Sequence, residues 1–237
     1  MPPTPPKRAV AAPPPSWVLA GAGIAVVIGL AVLISADRTA AFDQGIIDAV
    51  RAPVLRDLLS PLRAITELGS TGGVVAVAGI AFAFAATIGP WRHGLIAALT
   101  ILLASIANSA MKFAIRRDRP EILDPLVVER GFSFPSGHSA LGMAAYGILA
   151  VLVSRSRLPE PWRTVIIVAL GALVALIGIS RIWLGVHHPT DVLAGWAAGG
   201  VIVLAFAAIT RRVSPEPAAG AVDADPAARR SDRPAAG

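Results

Sequence analysis

Apolar and polar positions separate along this chain on the scale of whole segments. Six strongly apolar runs stand out, at 16–35, 70–89, 94–115, 136–154, 164–183 and 190–210. An α-helix needs about 20 residues to cross roughly 30 Å of hydrocarbon at 1.5 Å per residue, and each run has that length. Six such runs predict an all-α protein, a six-transmembrane-helix bundle. The first run is longer than the core of a cleaved signal, and no small-x-small cleavage site follows it, so it reads as an uncleaved anchor.

Residues 37–69 are too polar to span. Their apolar residues Phe42, Ile46, Val50, Val54, Leu58 and Leu62 recur every four positions, interrupted by Pro53 and Pro61. This spacing predicts short amphipathic interfacial helices between the first two spans, lying on the membrane surface or packed on the bundle as a hairpin. Pro/Ala-rich ends predict solvated, disordered tails at 1–15 and 213–237 around one domain at 16–212. Trp17, Trp91, Trp162 and Trp183 lie near run ends, where interfacial anchoring explains them. Gly195 and Gly199 form a small-xxx-small pair suited to close helix packing inside the bundle.

Composition strengthens this picture. Of 237 residues, 55% are hydrophobic and only 15% charged, too little charge to cover a soluble domain of this size. The absence of cysteine excludes disulfides, thiolate nucleophiles and cysteine zinc sites. A net charge of +6 fits basic flanks of membrane helices. No dense basic stripe with interleaved aromatics points to nucleic acid as a partner.

Ionisable residues deep in such a chain are costly, so their positions are informative. Helix parity puts the end of the third span, the start of the fourth, the end of the fifth and the start of the sixth on one membrane face. That face collects Lys112, Arg119, Ser136, Gly137, His138, Ser180, Arg181, His187 and Asp191. Singly, each has a plain structural explanation, such as snorkelling for the arginines. Jointly they form a phosphate-handling set. Ser136 is placed to cap the fourth span, where Gly137 and the free amides of the first turn favour an anion. Lys112, Arg119 and Arg181 can neutralise phosphoryl oxygens. Asp191, four residues after His187, can accept from one ring nitrogen and leave the other as a nucleophile. His138 is then free to protonate a leaving alkoxide. Arg116 and Arg117, if helical, lie one turn beyond Lys112 and could reach a second phosphate, though snorkelling explains them too.

These residues fall into three blocks: Lys112 to Arg119-Pro120 as KxxxxxxRP, Pro135-Ser136-Gly137-His138 as PSGH, and Ser180-Arg181 to His187 and Asp191 as SRxxxxxHxxxD. The set resembles the type 2 phosphatidic acid phosphatase family, which shares its site with vanadium haloperoxidases. The resemblance implies an integral-membrane lipid phosphate phosphatase acting on phosphomonoester or pyrophosphate groups, with no metal or other cofactor. It implies His187 as nucleophile, Asp191 as its orienting group and His138 as acid and then base. Lys112, Arg119, Ser136, Gly137 and Arg181 would bind phosphate. It further implies a catalytic face outside the cytoplasm, in keeping with a bacterial inner-membrane enzyme. The charge bias of the loops gives little support to either orientation. Two other readings carry the same residues: vanadate-dependent halide oxidation, and a non-enzymatic lipid-binding or transport protein. The choice among lipid phosphates and the oligomeric state are open at this level.

Overall fold

The computed structural model describes residues 15–50, 59–88, 91–121, 127 and 129–213. Among these the regular structure is wholly helical: α1 (Ser16–Ser35), α2 (Ala40–Val50), α3 (Leu59–Glu67), α4 (Thr71–Ile88), α5 (Arg92–Ile115), α6 (Gly137–Ser154), α7 (Glu160–Trp183) and α8 (Pro189–Val213). Six of them, α1 and α4 to α8, are long and apolar enough to cross a membrane. Their bounds follow the six apolar runs to within a few residues. The expected tails, and the stripe positions Val54 and Leu58, lie outside the described residues.

Helix α6 is the centre of the bundle, packed against α4, α5, α7 and α8. The inward residues of its first half are small, with Ala140, Gly142, Ala144 and Ala145 all buried, while Tyr146, Ile148 and Leu152 fill the second. Lipid tails are as apolar as leucine, so helices in a membrane gain more from close approach than from hiding apolar surface. Gly195 and Gly199 of α8 supply that approach. A Cβ on Gly195 would fall 2.8 Å from the Ser136 carbonyl oxygen, and one on Gly199 would fall 2.5 Å from that of Ala140. The small-xxx-small pair therefore joins α8 to α6. Helix α1 buries none of its residues and leans chiefly on α8.

Helices α2 and α3 are not free on a surface; α2 packs on α7 and α8, and α3 on α7. The inward stripe of α2 is offset by one residue from the expected one. Phe42 is 53% exposed, whereas Asp43 and Ile47 are buried. The four-residue apolar spacing missed this because the inward face includes a carboxylate, and that carboxylate has buried partners. Pro61 lies in the first turn of α3, where its missing N–H costs no helical hydrogen bond. Trp17, Trp91 and Trp162 are exposed as anchors should be, but Trp183 is buried. It packs in a small cluster with Leu184, Val186 and Leu62 beneath α3, an element whose cover could not be foreseen from a position near a helix end.

Candidate active site

The second ends of α1, α5 and α7 and the first turns of α4, α6 and α8 share one end of the bundle, and α2 and α3 cover it. At its centre the chain leaves α7 and turns sharply. Gly185 takes φ 78, a left-handed conformation, and the amides of Val186 and His187 both donate to the Arg181 carbonyl at 3.2 and 3.3 Å. This closure of the helix end needs glycine. It holds His187 directly beneath the last turn of α7.

His187 is 1% exposed and Asp191 is fully buried. Nδ1 of His187 lies 3.4 Å from Oδ2 of Asp191, and Nε2 lies 3.4 Å from Nη1 of Arg119. Asp191 is itself fixed. Its Oδ2 accepts from the His188 amide at 2.9 Å and its Oδ1 from Arg117 at 2.7 Å. Burial drives the His187 imidazole down to about 3, against the raising influence of Asp191, so the ring is neutral near neutral pH. His188 is likewise lowered by burial. A neutral ring with Nδ1 facing a carboxylate presents Nε2 unprotonated, its lone pair toward Arg119.

Nε2 faces the cations. Arg119 donates to the carbonyls of Val186 at 2.7 Å and Gly131 at 3.0 Å, which pins its guanidinium beside the ring. Arg181 donates to Thr66 of α3 at 2.7 Å. Lys112 reaches the Phe132 carbonyl at 2.6 Å, tying the end of α5 to the strand of chain that enters α6. Ser136 stands at the N-cap of α6 as expected, yet its side chain makes no capping bond; its hydroxyl accepts from Ser139 at 3.1 Å. Its amide donates instead to the Asp191 carbonyl at 3.0 Å, which brings the PSGH block against the first turn of α8. Ser180 is buried and donates to the Ile177 carbonyl at 2.7 Å, a purely helical role. His138, half-buried, lines a cavity of about 420 Å³ together with Glu67, Thr66, Glu129 and Arg181. The structure puts Lys112, Arg119, Ser136, Gly137, His138, Arg181, His187 and Asp191 at one end of the bundle, with Lys112 and Arg119 lining one cavity and His138 and Arg181 another.

Three groups at this end carry no sequence signal. Glu129 bridges the two arginines, with Oε1 on Arg181 and Oε2 3.1 Å from Arg119. Its carboxylate sits where two cations would hold an anion. Asp43 and Thr190 join Arg117 in a buried network described below. Arg116 and Arg117 correct an expectation. Helix α5 ends at Ile115, and Arg116 turns left-handed with φ 51, its Nε donating to the Phe113 carbonyl at 3.1 Å. That turn aims Arg117 away from the Lys112 side and into the protein, onto Asp43 and Asp191 at 2.7 Å each. Arg117 is thus engaged by two carboxylates, while Arg116 is exposed.

Comparison with known proteins places this arrangement. The sequence matches the PAP2 superfamily profile over residues 93–214. Phosphatidylglycerophosphatase B of Bacillus subtilis (strain 168) is 32% identical over 174 residues, covering 72% of this chain and 84% of that protein. The crystal structure of the transmembrane PAP2 type phosphatidylglycerolphosphate phosphatase from Bacillus subtilis superposes with a TM-score of 0.74 at 27% identity, over 84% of this chain and 98% of that one. Lipid A 1-phosphatase of Rhizobium etli is 32% identical over 122 residues, and the chain spans 48% of its length.

Proposed function

The chain belongs to the PAP2 superfamily, and on that premise we propose that it is a multi-pass membrane lipid phosphatase whose nucleophile is His187. One observation carries the mechanism: a neutral, buried imidazole is held between a carboxylate at Nδ1 and an arginine at Nε2. An anion bound to that arginine is presented to the ring nitrogen that carries no proton.

In the first step the Nε2 lone pair of His187 forms a bond to phosphorus. The bond from phosphorus to the leaving oxygen breaks, and that oxygen takes a proton from His138. The ring, still carrying its Nδ1 proton, becomes cationic and is stabilised by Asp191. In the second step water attacks phosphorus and gives its proton to His138. The N–P bond breaks, its electron pair returns to Nε2, and phosphate leaves. Lys112, Arg119, Arg181 and the first-turn amides of α6 at Gly137 hold the phosphoryl oxygens throughout, so the charge that builds up meets donors already in place. Substrate phosphate displaces the Glu129 carboxylate from Arg119 and Arg181. The substrate is a lipid carrying a terminal phosphate or pyrophosphate, reached from the bilayer. The site faces the extracytoplasmic side of a bacterial inner membrane.

Phosphate release from a panel of lipid phosphates, in detergent with EDTA present, tests the reading. Wild type releases phosphate, and His187→Ala is slower by more than about 10³-fold, as for other enzymes stripped of a nucleophile. Equal rates in the two proteins would remove His187 from the chemistry, and a strict requirement for added magnesium would overturn the metal-independent mechanism.

A further inference from the structure

One cation at the buried end of the site is claimed by two carboxylates. Arg117 donates through Nη1 to Asp191 Oδ1 at 2.7 Å and through Nη2 to Asp43 Oδ2 at 2.7 Å. Thr190 closes the ring. Its hydroxyl accepts from Arg117 at 2.7 Å and donates to Asp43 at 2.8 Å, while its amide donates to the other Asp43 oxygen at 2.9 Å. Thr39 accepts from Arg117 at 3.1 Å. Asp43, Thr39, Thr190 and Asp191 are all buried. Hardly any water can therefore screen the pair of carboxylates, and the spare charge must act on whatever lies beside it.

We propose that Asp43, on the interfacial helix α2, is a positioning residue for the nucleophile: by sharing Arg117 with Asp191 it leaves one uncompensated negative charge against His187. The inference rests on the reading of His187 as the attacking group. Among the described residues, two carboxylates against one guanidinium leave a single negative charge, and the cationic ring of the phosphohistidine lies against it at Asp191, with the His188 ring alongside. The other charged groups facing His187 among the described residues are Lys112 and Arg119, both positive and both on the phosphate side. With Arg117 wholly given to Asp191, the carboxylate behind the ring would be neutralised before the chemistry began. Asp43 prevents this. It also fixes the first turn of α8 through the Thr190 amide, and so sets where Asp191 stands relative to Nδ1.

Such a role differs from that of a strut. A strut supports the fold and lowers all activity together with stability. A shared charge acts on the charged ring of the intermediate, so it changes kcat more than KM and changes which ring nitrogen holds the proton. The chain has only four histidines, which makes ring ¹⁵N spectra of the full-length protein in detergent tractable. The test compares wild type, Asp43→Asn, Asp43→Glu, Arg117→Lys and His187→Ala. Asparagine keeps the shape and an acceptor for the Thr190 amide, so the fold is retained.

Asp43→Asn is expected to lower kcat roughly tenfold or more, as loss of an orienting partner commonly does, with KM within about threefold. The Nδ1–H form of the His187 ring loses population in the same protein. Asp43→Glu restores most of kcat, and Arg117→Lys, which keeps one cation but cannot span both carboxylates, lowers it. A wild-type kcat and unchanged ring spectrum in Asp43→Asn overturn the proposal, as does a loss confined to KM. Should Asp43→Asn fail to fold, Arg117→Lys decides on the same two readouts. His187→Ala separates the two levels. If it is silent while Asp43→Asn is unimpaired, only the bridge is wrong; if it is active, the nucleophile assignment falls whatever Asp43 does.

Discussion

His187 is a base buried in its neutral form, and that has a thermodynamic consequence as well as the catalytic one proposed for it. Its folded value is about 3 against an ordinary 6.5, so between those limits the unfolded chain binds a proton that the folded protein does not. Stability therefore rises with pH through this window and is lost on acidification from about 6.5 toward 3. His188, lowered by the same cause, contributes with the same sign. Thermal unfolding followed from pH 7 to pH 4 should show a falling midpoint, and the slope should be shallower in His187→Asn. Glu129 offers a second prediction at this scale. Its carboxylate competes for Arg119 and Arg181, so Glu129→Gln should lower KM for a lipid phosphate severalfold and tighten inhibition by inorganic phosphate; unchanged constants would show that the carboxylate is no competitor. His187, Asp191 and His138 were legible because fixed spacings tie them to a motif. Glu129 and Asp43 were not, because Glu129 joins Arg119 to Arg181, 52 positions on, and Asp43 reaches Arg117 across 74, and no local spacing marks such contacts.

At the scale of elements, the spans declared themselves by length and hydropathy, and their parity put the right helix ends together. What parity cannot give is the distance between helices. That is set by contacts such as Gly195, whose missing side chain lets the Ser136 carbonyl lie against α8. In an ordinary helix interior, glycine to alanine is favourable by up to about 1 kcal/mol. Here the added carbon would sit 2.8 Å from a backbone oxygen and from the Ser139 Cβ, where no rotamer relieves it. Gly195→Ala should push α6 from α8, part the PSGH block from His187, and reduce kcat/KM at least tenfold, a displacement of about 1 Å being enough for larger losses. The end of α5 at Ile115 matches the apolar run, but the direction the chain takes after it was not legible, for a local reason. Left-handed helix stops are usually written with glycine or asparagine, and here Arg116 takes that conformation, so nothing in the sequence announced that Arg117 would change direction.

Across the whole molecule, Lys112 at the end of α5 and Arg119 just beyond it lie close enough to Arg181 of α7 to repel it, and that repulsion is relieved only in part by Glu129 between the two arginines. An anion that binds the folded site alone should stabilise it, by about 2.7 kcal/mol at one hundred times its dissociation constant. Orthovanadate, a phosphate mimic, should accordingly raise the thermal midpoint of wild type and do so far less for Arg181→Ala. The centre itself is divided between two lengths of chain. Lys112, Arg119 and His138 precede the turn between α6 and α7, while Arg181, His187 and Asp191 follow it. Because that turn lies at the end of the bundle away from the proposed site, the chain can be cut there without touching a residue assigned to it. Two fragments, 1–157 and 158–237, each lack half of the chemistry, yet α6 with α7 and α8, and α1 with α8, give them broad complementary faces. Co-expressed in one membrane, they would form a split enzyme whose activity reports that the halves have met.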